Sequence, residues 1–296
     1  MKDINGFLVI DKPAGITSHG VVEQVRKLLP KKVKVGHTGT LDPLATGLLI
    51  LAVGKATRFS RYLIKQDKCY FVRGRLGLSS DTYDIDGNIK EIECPEIKKE
   101  DIERVIQDFK GEISQVPPPF SAVRIKGKRA YELARQGEFF EIKARTVKVY
   151  SINLTHFEYP DFTLEVCCSS GTYVRSLIHD IGKALGCDAV VAELRRTRIG
   201  NISVEEAVTI EELKKKGVEK FLVPIEKILP FPSLSLDERE AKMFRNGAKI
   251  KSDLEEGVYK IFSPKGFIGV GKVSKGYLKP ETVLLNVNPG KLKDRF

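Results

Sequence analysis

The stretch Gly36-His37-Thr38-Gly39-Thr40-Leu41-Asp42-Pro43-Leu44-Ala45-Thr46-Gly47 constrains this chain most. Three glycines and a proline punctuate it, so it reads as a loop. An unbroken apolar run follows at once, Leu48-Leu49-Ile50-Leu51-Ala52-Val53, closed by Gly54. A run of that length between glycines predicts a fully buried strand. One carboxylate, Asp42, therefore sits on a tightly specified loop that leads into the core. Taken alone, Asp42-Pro43 is an ordinary turn dipeptide. Held by a rigid scaffold, such a loop is also where chemistry is carried.

The flanking sequence predicts alternating helices and strands. Gly6 to Ile10 reads as a strand and Asp11-Lys12-Pro13-Ala14-Gly15 as a turn. Thr17 or Ser18 can cap a helix to Leu29, with Val21, Val22, Val25, Leu28 and Leu29 on one face and Pro30 as its stop. Tyr70 to Leu78 and Phe162 to Cys168 are strand-like. Glu100 to Phe109 spaces Ile102, Val105, Ile106 and Phe109 as an amphipathic helix does. A second such helix follows Ser169-Ser170-Gly171-Thr172, with Val174, Leu177, Ile178, Ile181 and Leu185 as its stripe. Arg175 falls off that stripe, as a surface charge would, or as a partner for a carboxylate. Glu193 to Gly200 reads as a basic strand. Ser203-x-x-Glu206 and Thr209-x-x-Glu212 are helix starts. Pro224, Pro230 and Pro232 mark a boundary. Beyond it, a helix from Leu236 to Asn246 and strands at 258–262, 267–273 and 283–287 make a small, mostly β module.

Charge narrows the class of partner. Lys and Arg number 50 against 39 acidic residues, a net +11, which favours a polyanion. Nearly half of that excess lies in Ser121 to Lys148. There Arg124, Lys126, Lys128, Arg129, Arg135, Lys143, Arg145 and Lys148 face only Glu132, Glu138 and Glu141. Phe120, Tyr131, Phe139 and Phe140 are interleaved, so the segment reads either as a solvated face or as an RNA grip. No apolar run approaches the roughly 20 residues that cross a bilayer, and the first residues carry no signal-peptide pattern. Cys69, Cys94, Cys167, Cys168 and Cys187 show no C-x-x-C spacing and an odd count. The expectation is reduced thiols and no metal site. Thr82-x-Asp84-x-Asp86-Gly87-x5-Glu93 mimics a calcium loop with the wrong first ligand and strand-like flanks, so it reads as a solvated hairpin turn.

Several motifs then recur in order. They are Asp11-Lys12-Pro13-x-Gly15-x-Thr17-Ser18, the Asp42 stretch through Leu49, Gly54-x-Ala56-Thr57-Arg58 and Lys68-x-Tyr70. After them come Asp81-Thr82-x-Asp84-x-Asp86-Gly87, Gln115-x-Pro117-Pro118-x-x-Ser121-Ala122 and Gly127-Lys128-Arg129-Ala130-Tyr131-Glu132-x-Ala134-Arg135-x-Gly137. Gly171-Thr172-Tyr173-Val174-Arg175 and Leu194-Arg195-Arg196 close the series. In this order and spacing the chain resembles the tRNA pseudouridine synthase B (TruB) family over nearly its whole length.

The resemblance implies an α+β fold. A catalytic domain with a mixed, mainly antiparallel sheet would span 1–230, with an RNA-gripping insertion at about 115–148, and a small, mostly β PUA-like domain would span 231–296. It implies isomerisation of uridine 55 in the tRNA T loop, without cofactor or metal. The N1–C1′ bond breaks, the base turns, and C5 bonds to C1′. Asp42 would be the essential carboxylate, attacking sugar or base or expelling the base, with Arg175 as its charge partner. The base must first be flipped out of its loop. Tyr70 matches the position that stacks on it and serves proton transfer from C5. Tyr173 and Leu194 match pocket-lining positions, His37 one that fills the space flipped bases leave, and Lys12 and Pro13 supports of the loop. Arg58 stands where the family often has Lys, and Phe120 where it has Tyr. The implied partner is the T arm of tRNA in the cytoplasm, with no membrane and no obligate protein. A guide-RNA-dependent synthase of the dyskerin type shares the Asp loop and the PUA module, and an RNA chaperone is the reading of another class. The insertion favours a stand-alone enzyme.

Overall fold

The computed structural model describes residues 4–125, 127–138 and 140–284. Lys126, Phe139 and the expected strand positions 285–287 lie outside the described residues. Among the described residues the main sheet has nine strands. Seven run in the order Gly6–Lys12, Thr46–Val53, Ala189–Ile199, Lys68–Leu76, Asp161–Cys168, Arg145–Glu158, Gly111–Gln115. Val35–His37 pairs with Thr46–Val53, and Ile202–Ser203 with Ala189–Ile199. Every pairing is antiparallel except Thr46–Val53 against Ala189–Ile199. The sheet is thus mixed and mainly antiparallel, as the resemblance implied.

The apolar run after the Asp42 loop is buried on both faces. Side chains alternate across a strand. Leu49, Leu51 and Val53 enter one cluster, with Val21, Val22 and Val25 of the helix Ser18–Lys27 and Leu177, Ile178 and Ile181 of Val174–Ala184. Leu48, Ile50 and Ala52 enter another, with Ala56, Phe59 and Ile225. Each such leucine or isoleucine contributes about 2 kcal/mol by leaving water, so register here is strongly specified.

Local chemistry sets most boundaries. Thr17 Oγ1 accepts from Gly20 N at 2.9 Å and starts the first helix. That helix ends at Lys27, short of the expected Leu29, because the residue before Pro30 is pushed out of the helical region. Ser203 and Thr209 cap Val204–Glu206 and Ile210–Lys216 through full capping boxes. The expected helix at 100–109 divides into Lys99–Val105 and a 3-10 turn, Ile106–Phe109. Arg145–Glu158 is a long strand that alternation did not reveal. Bulges between Val149 and Ser151 and between Leu154 and His156 break its period of two.

The C-terminal domain is mostly β. Its sheet runs Ser233–Ser235, Gly257–Ser263, Gly266–Ser274, Tyr277–Val283, Ile250–Lys251. The helix Glu238–Arg245, capped by Asp237, packs Ala241 and Phe244 against Ile261, Val273 and Leu278. A strand not expected from sequence, Tyr277–Val283, ends where the expected strand at 283–287 would begin. It takes Leu278 and Thr282 inside despite a charged, proline-bearing sequence.

The thiol expectation is overturned. Cys69 and Cys167 face each other on neighbouring strands, Cα atoms 4.1 Å apart, with their sulfurs joined. Cys94 joins Cys187, with Cα atoms 5.0 Å apart, and Cys168 is free and buried. Sequence spacing cannot show a cross-strand register, and Cys69 and Cys167 are brought together only by the sheet. Among the described residues no helix is long and apolar enough to cross a membrane. Denatured without reductant, the protein should titrate one thiol, and five after reduction. Five thiols before reduction would exclude both bridges.

Candidate active site

Two buried cations hold the Asp42 loop by its carbonyl oxygens. Lys12, with no exposed surface, donates from Nζ to Pro13 O at 2.8 Å, Ile16 O at 2.7 Å and Pro43 O at 3.2 Å. Arg196, 1 % exposed, donates from Nε to Leu48 O at 2.8 Å. Its Nη1 and Nη2 reach Thr40 O and Gly39 O, each at 3.3 Å. Burial pulls the Lys12 ammonium down to about 8, against the opposing pull of Asp42. Ser18 closes the grip, its Oγ accepting from Leu41 N at 2.8 Å and donating to Leu41 O at 3.0 Å. The loop leaves through Gly47, where Arg196 is its parallel-sheet partner. There φ is +95°, and a Cβ would fall on the carbonyl oxygen of Arg196. Only glycine fits that approach.

Asp42 faces Arg175. Nε of Arg175 lies 2.9 Å from Asp42 Oδ2, with the guanidinium almost wholly buried and the carboxylate 33 % exposed. The N–H points out of line, so the contact is ionic rather than a directed hydrogen bond. The other nitrogens are held from elsewhere. Nη1 donates to Thr82 O at 2.8 Å and approaches Asp84 Oδ2 at 3.3 Å, and Nη2 donates to Phe120 O at 2.9 Å. Asp84 is itself buried, with Oδ1 accepting from Thr82 Oγ1 at 2.5 Å and Asp86 N at 3.2 Å. Burial raises its carboxyl above the usual range, while Thr82 and Arg175 pull it back. The expected hairpin turn forms between Leu78–Ser80 and Ile89–Glu91, but its Asp84 is buried against Arg175 rather than solvated and so walls this site. Among the described residues no cluster of His, Cys, Asp and Glu could hold a metal.

The other expected residues lie at different depths. Tyr70 is nearly buried in the same cluster as Leu41 and Leu194, and burial raises its hydroxyl. Tyr173 stands at the start of the helix Val174–Ala184. The buried Gln115 locks its backbone, Nε2 donating to Tyr173 O at 3.1 Å and Oε1 accepting from Tyr173 N at 2.8 Å. Its ring lies 4.6 Å from the Arg145 guanidinium carbon. His37 is half-buried at the end of Val35–His37, with Nδ1 buried and unpartnered. Burial, then Arg196 and His19, lowers its imidazolium, so it is neutral at pH 7.

Asp84, Thr82, Gln115 and Arg196 stand in the motifs and Arg145 in the basic segment, but the sequence assigns none of them a role at the site. One signal was available for Arg196. It stands two residues from the buried Leu194 and so shares its face. Arg195, on the other face, pairs with Asp11 at 2.7 Å. Replacing Gly47 by Ala should cost about 2 kcal/mol or more, since the backbone is left-handed and the partner strand occupies the Cβ position. The midpoint of thermal unfolding should fall by roughly 4–8 °C. An unchanged midpoint would contradict the close approach of Gly47 to Arg196.

Comparison with known proteins finds relatives over nearly the whole chain. Residues 26–174 match the TruB family pseudouridylate synthase N-terminal domain. Residues 175–230 match the tRNA pseudouridylate synthase B C-terminal domain, and 232–284 the C-terminal domain of pseudouridine synthase II TruB. The tRNA pseudouridine synthase B of Aquifex aeolicus is 44% identical over 290 residues, 95% of this chain and 100% of that protein. That of Clostridium kluyveri is 40% identical over 276 residues, 90% and 95% of the two chains. Among solved structures, a Cbf5-Nop10-Gar1 complex matches with a TM-score of 0.71 at 29% identity, covering 95% of this chain and 85% of that one. An H/ACA RNP bound to a substrate RNA containing 2'-deoxyuridine matches with a TM-score of 0.70 at 28% identity and the same coverage. With matches that run from residue 26 to 284 and relatives that align end to end, this chain belongs to the TruB family of pseudouridine synthases.

Proposed function

We propose that this protein converts uridine 55 in the T loop of tRNA to pseudouridine, with Asp42 as the essential carboxylate. The observation that carries the reading is the 2.9 Å contact of Arg175 Nε with Asp42 Oδ2 on a loop whose backbone is fixed by Lys12, Ser18 and Arg196. The reaction is an isomerisation. N1–C1′ breaks, the base turns, C5–C1′ forms, the C5 proton leaves and N1 gains one, so no cofactor is needed. Asp42 supplies the nucleophilic or base-expelling carboxylate, and Arg175 places a fixed positive charge beside it. Tyr70, kept as a neutral phenol by burial, suits a platform for the flipped base better than a proton acceptor. Tyr173 and Leu194 line the pocket, and His37 meets the RNA from the loop's edge.

Around this site, 1–230 acts as the catalytic domain and 231–296 as a PUA-like RNA-binding domain. The exposed hairpin of Arg124–Ile125 and Lys128–Arg129, with the helix Ala130–Arg135, supplies cations for phosphates. A grip of this kind serves the T arm without a protein partner, in the cytoplasm where tRNA is. Relatives named tRNA pseudouridine synthase B reach 44% identity, against 28–29% for the H/ACA structures, which favours tRNA over a guided substrate.

Two measurements test this reading. Asp42→Asn should abolish tritium release from C5-labelled uridine in tRNA while tRNA affinity stays within about threefold, because phosphate contacts dominate binding. Release at the wild-type rate would overturn the assignment. Neutralising Lys128 and Arg129 together should weaken tRNA binding and flatten its salt dependence by a slope of about 1–2 in log–log form. An unchanged slope would remove the hairpin from the interface.

A further inference from the structure

The helix Val174–Ala184 meets the loop at 81–87 at two points, of which the Arg175–Asp84 contact is one. Arg175 and His179 are four residues apart, so they are neighbours on the helix surface. Consecutive loop residues meet them in turn. Asp84 Oδ2 lies 3.3 Å from Arg175 Nη1. The ring of Tyr83 stacks on the imidazole of His179, with centroids 4.0 Å apart and planes within 4°. Stacking at this distance holds the two rings parallel, so it fixes the orientation of Tyr83 as well as its position.

The backbone at Tyr83 makes that stack informative. Its φ is +63°, in the left-handed region that costs a residue with a side chain about 1 kcal/mol or more. Glycine would relieve that cost, and a bulky residue there calls for a compensating contact. The turn reverses the chain between Thr82, whose carbonyl accepts from Arg175, and Asp84, whose carboxylate pairs with it. Tyr83 O accepts from Val191 N and Val191 O accepts from Ile85 N, each at 3.0 Å, which ties the turn to the sheet. Those backbone bonds fix its height over the sheet. The ring stack fixes its approach to the helix. Burial lowers the His179 imidazolium, with Asp188 opposing and Lys183 assisting. The stack is therefore between two neutral rings at pH 7.

We infer that Tyr83 and His179 are positioning residues, which set where Asp84 stands against Arg175 and through it the guanidinium that faces Asp42. Neither ring is required to touch RNA. The inference rests on the reading of Asp42 and Arg175 as the reacting pair.

The test compares removal of the stack with its preservation. Tyr83→Gly removes the ring and suits the backbone, and His179→Ala removes the opposite face. Tyr83→Phe and His179→Phe keep two stacked rings. Single-turnover pseudouridine formation should fall about tenfold or more in Tyr83→Gly and His179→Ala, since displacement of a reacting group by a fraction of an ångström costs this much. The dissociation constant for tRNA should stay within about twofold, because no phosphate contact is lost. Both Phe variants should recover the wild-type rate within about threefold, and the Gly/Ala double variant should be no slower than the worse single one, as for one shared contact. A wild-type rate in His179→Ala would overturn the inference, and so would Phe variants as slow as the deletions. Asp42→Asn, run alongside, separates the two claims. If it is inactive while His179→Ala is fully active, the catalytic reading stands and the positioning role falls. If Asp42→Asn is active, the catalytic reading itself falls.

Discussion

A guanidinium taken out of water is costly unless every N–H finds a partner. Arg175 approaches that condition, with Nη1 and Nη2 bonded and Nε in ionic contact alone, only through convergence of segments distant in sequence. The helix Val174–Ala184 presents it, the loop at 82–84 takes one nitrogen, Phe120 O takes another, and Asp42 stands at the third. These contacts are mutually dependent. Removing either carboxylate strands a buried charge, and moving the 82–84 loop changes what Arg175 can offer Asp42. The sequence positions 42, 84, 120 and 175 are thus brought together by one requirement, the satisfaction of a single buried cation.

The Asp42 loop follows a similar logic with a different outcome. Its rigidity does not come only from apolar packing, to which Leu41 and Ala45 contribute. It comes also from Lys12 and Arg196 pointing buried donors at carbonyl oxygens on either side of Asp42. A cation bonded to neutral carbonyls keeps its charge beneath the loop without forming an ion pair with Asp42. The carboxylate remains one-third exposed, open to a ligand, while the backbone that carries it is fixed. Gly47 completes the arrangement, because the strand Thr46–Val53 can reach Arg196 only where a side chain is missing.

This explains what was and was not legible in the sequence. The strand Thr46–Val53 announced itself by composition, since a strand buried on both faces has no polar position to confuse. The helix Ser18–Lys27 was marked by its cap and stripe. Arg145–Glu158 was hidden because two bulges shift the alternation in mid-strand. For the site, Asp42 stood out by its loop. Arg175 could be a surface charge or a carboxylate's partner until the resemblance chose between them, because a charge off the apolar stripe of a helix usually faces water. Asp84 was mistaken for a solvated turn residue, since Asp-rich, Gly-punctuated segments commonly are. Its burial depends on Arg175, 91 positions away, which no local pattern contains. The cysteine bridges share that cause, being fixed by sheet register rather than spacing.

The net charge of +11 also divides by location. Lys12, Lys68, Arg175 and Arg196 are buried and already bonded to carbonyls or carboxylates of the protein. They are closed to phosphate, and burial lowers the ammonium of Lys68 to about 8 as it does that of Lys12. Cations on the hairpin, such as Lys128, whose only ion pair is the solvent-exposed one with Glu138 at 3.6 Å among the described residues, and Arg129, are exposed and can displace counterions from RNA. On the proposed reading, two groups of basic residues therefore do separate work. The outer group sets affinity and its salt dependence, which screening weakens readily. Of the inner group, Lys12, Arg175 and Arg196 set geometry at Asp42 from buried positions that salt screens little. Affinity and turnover can accordingly be altered one without the other, because the charges that govern them share no solvent.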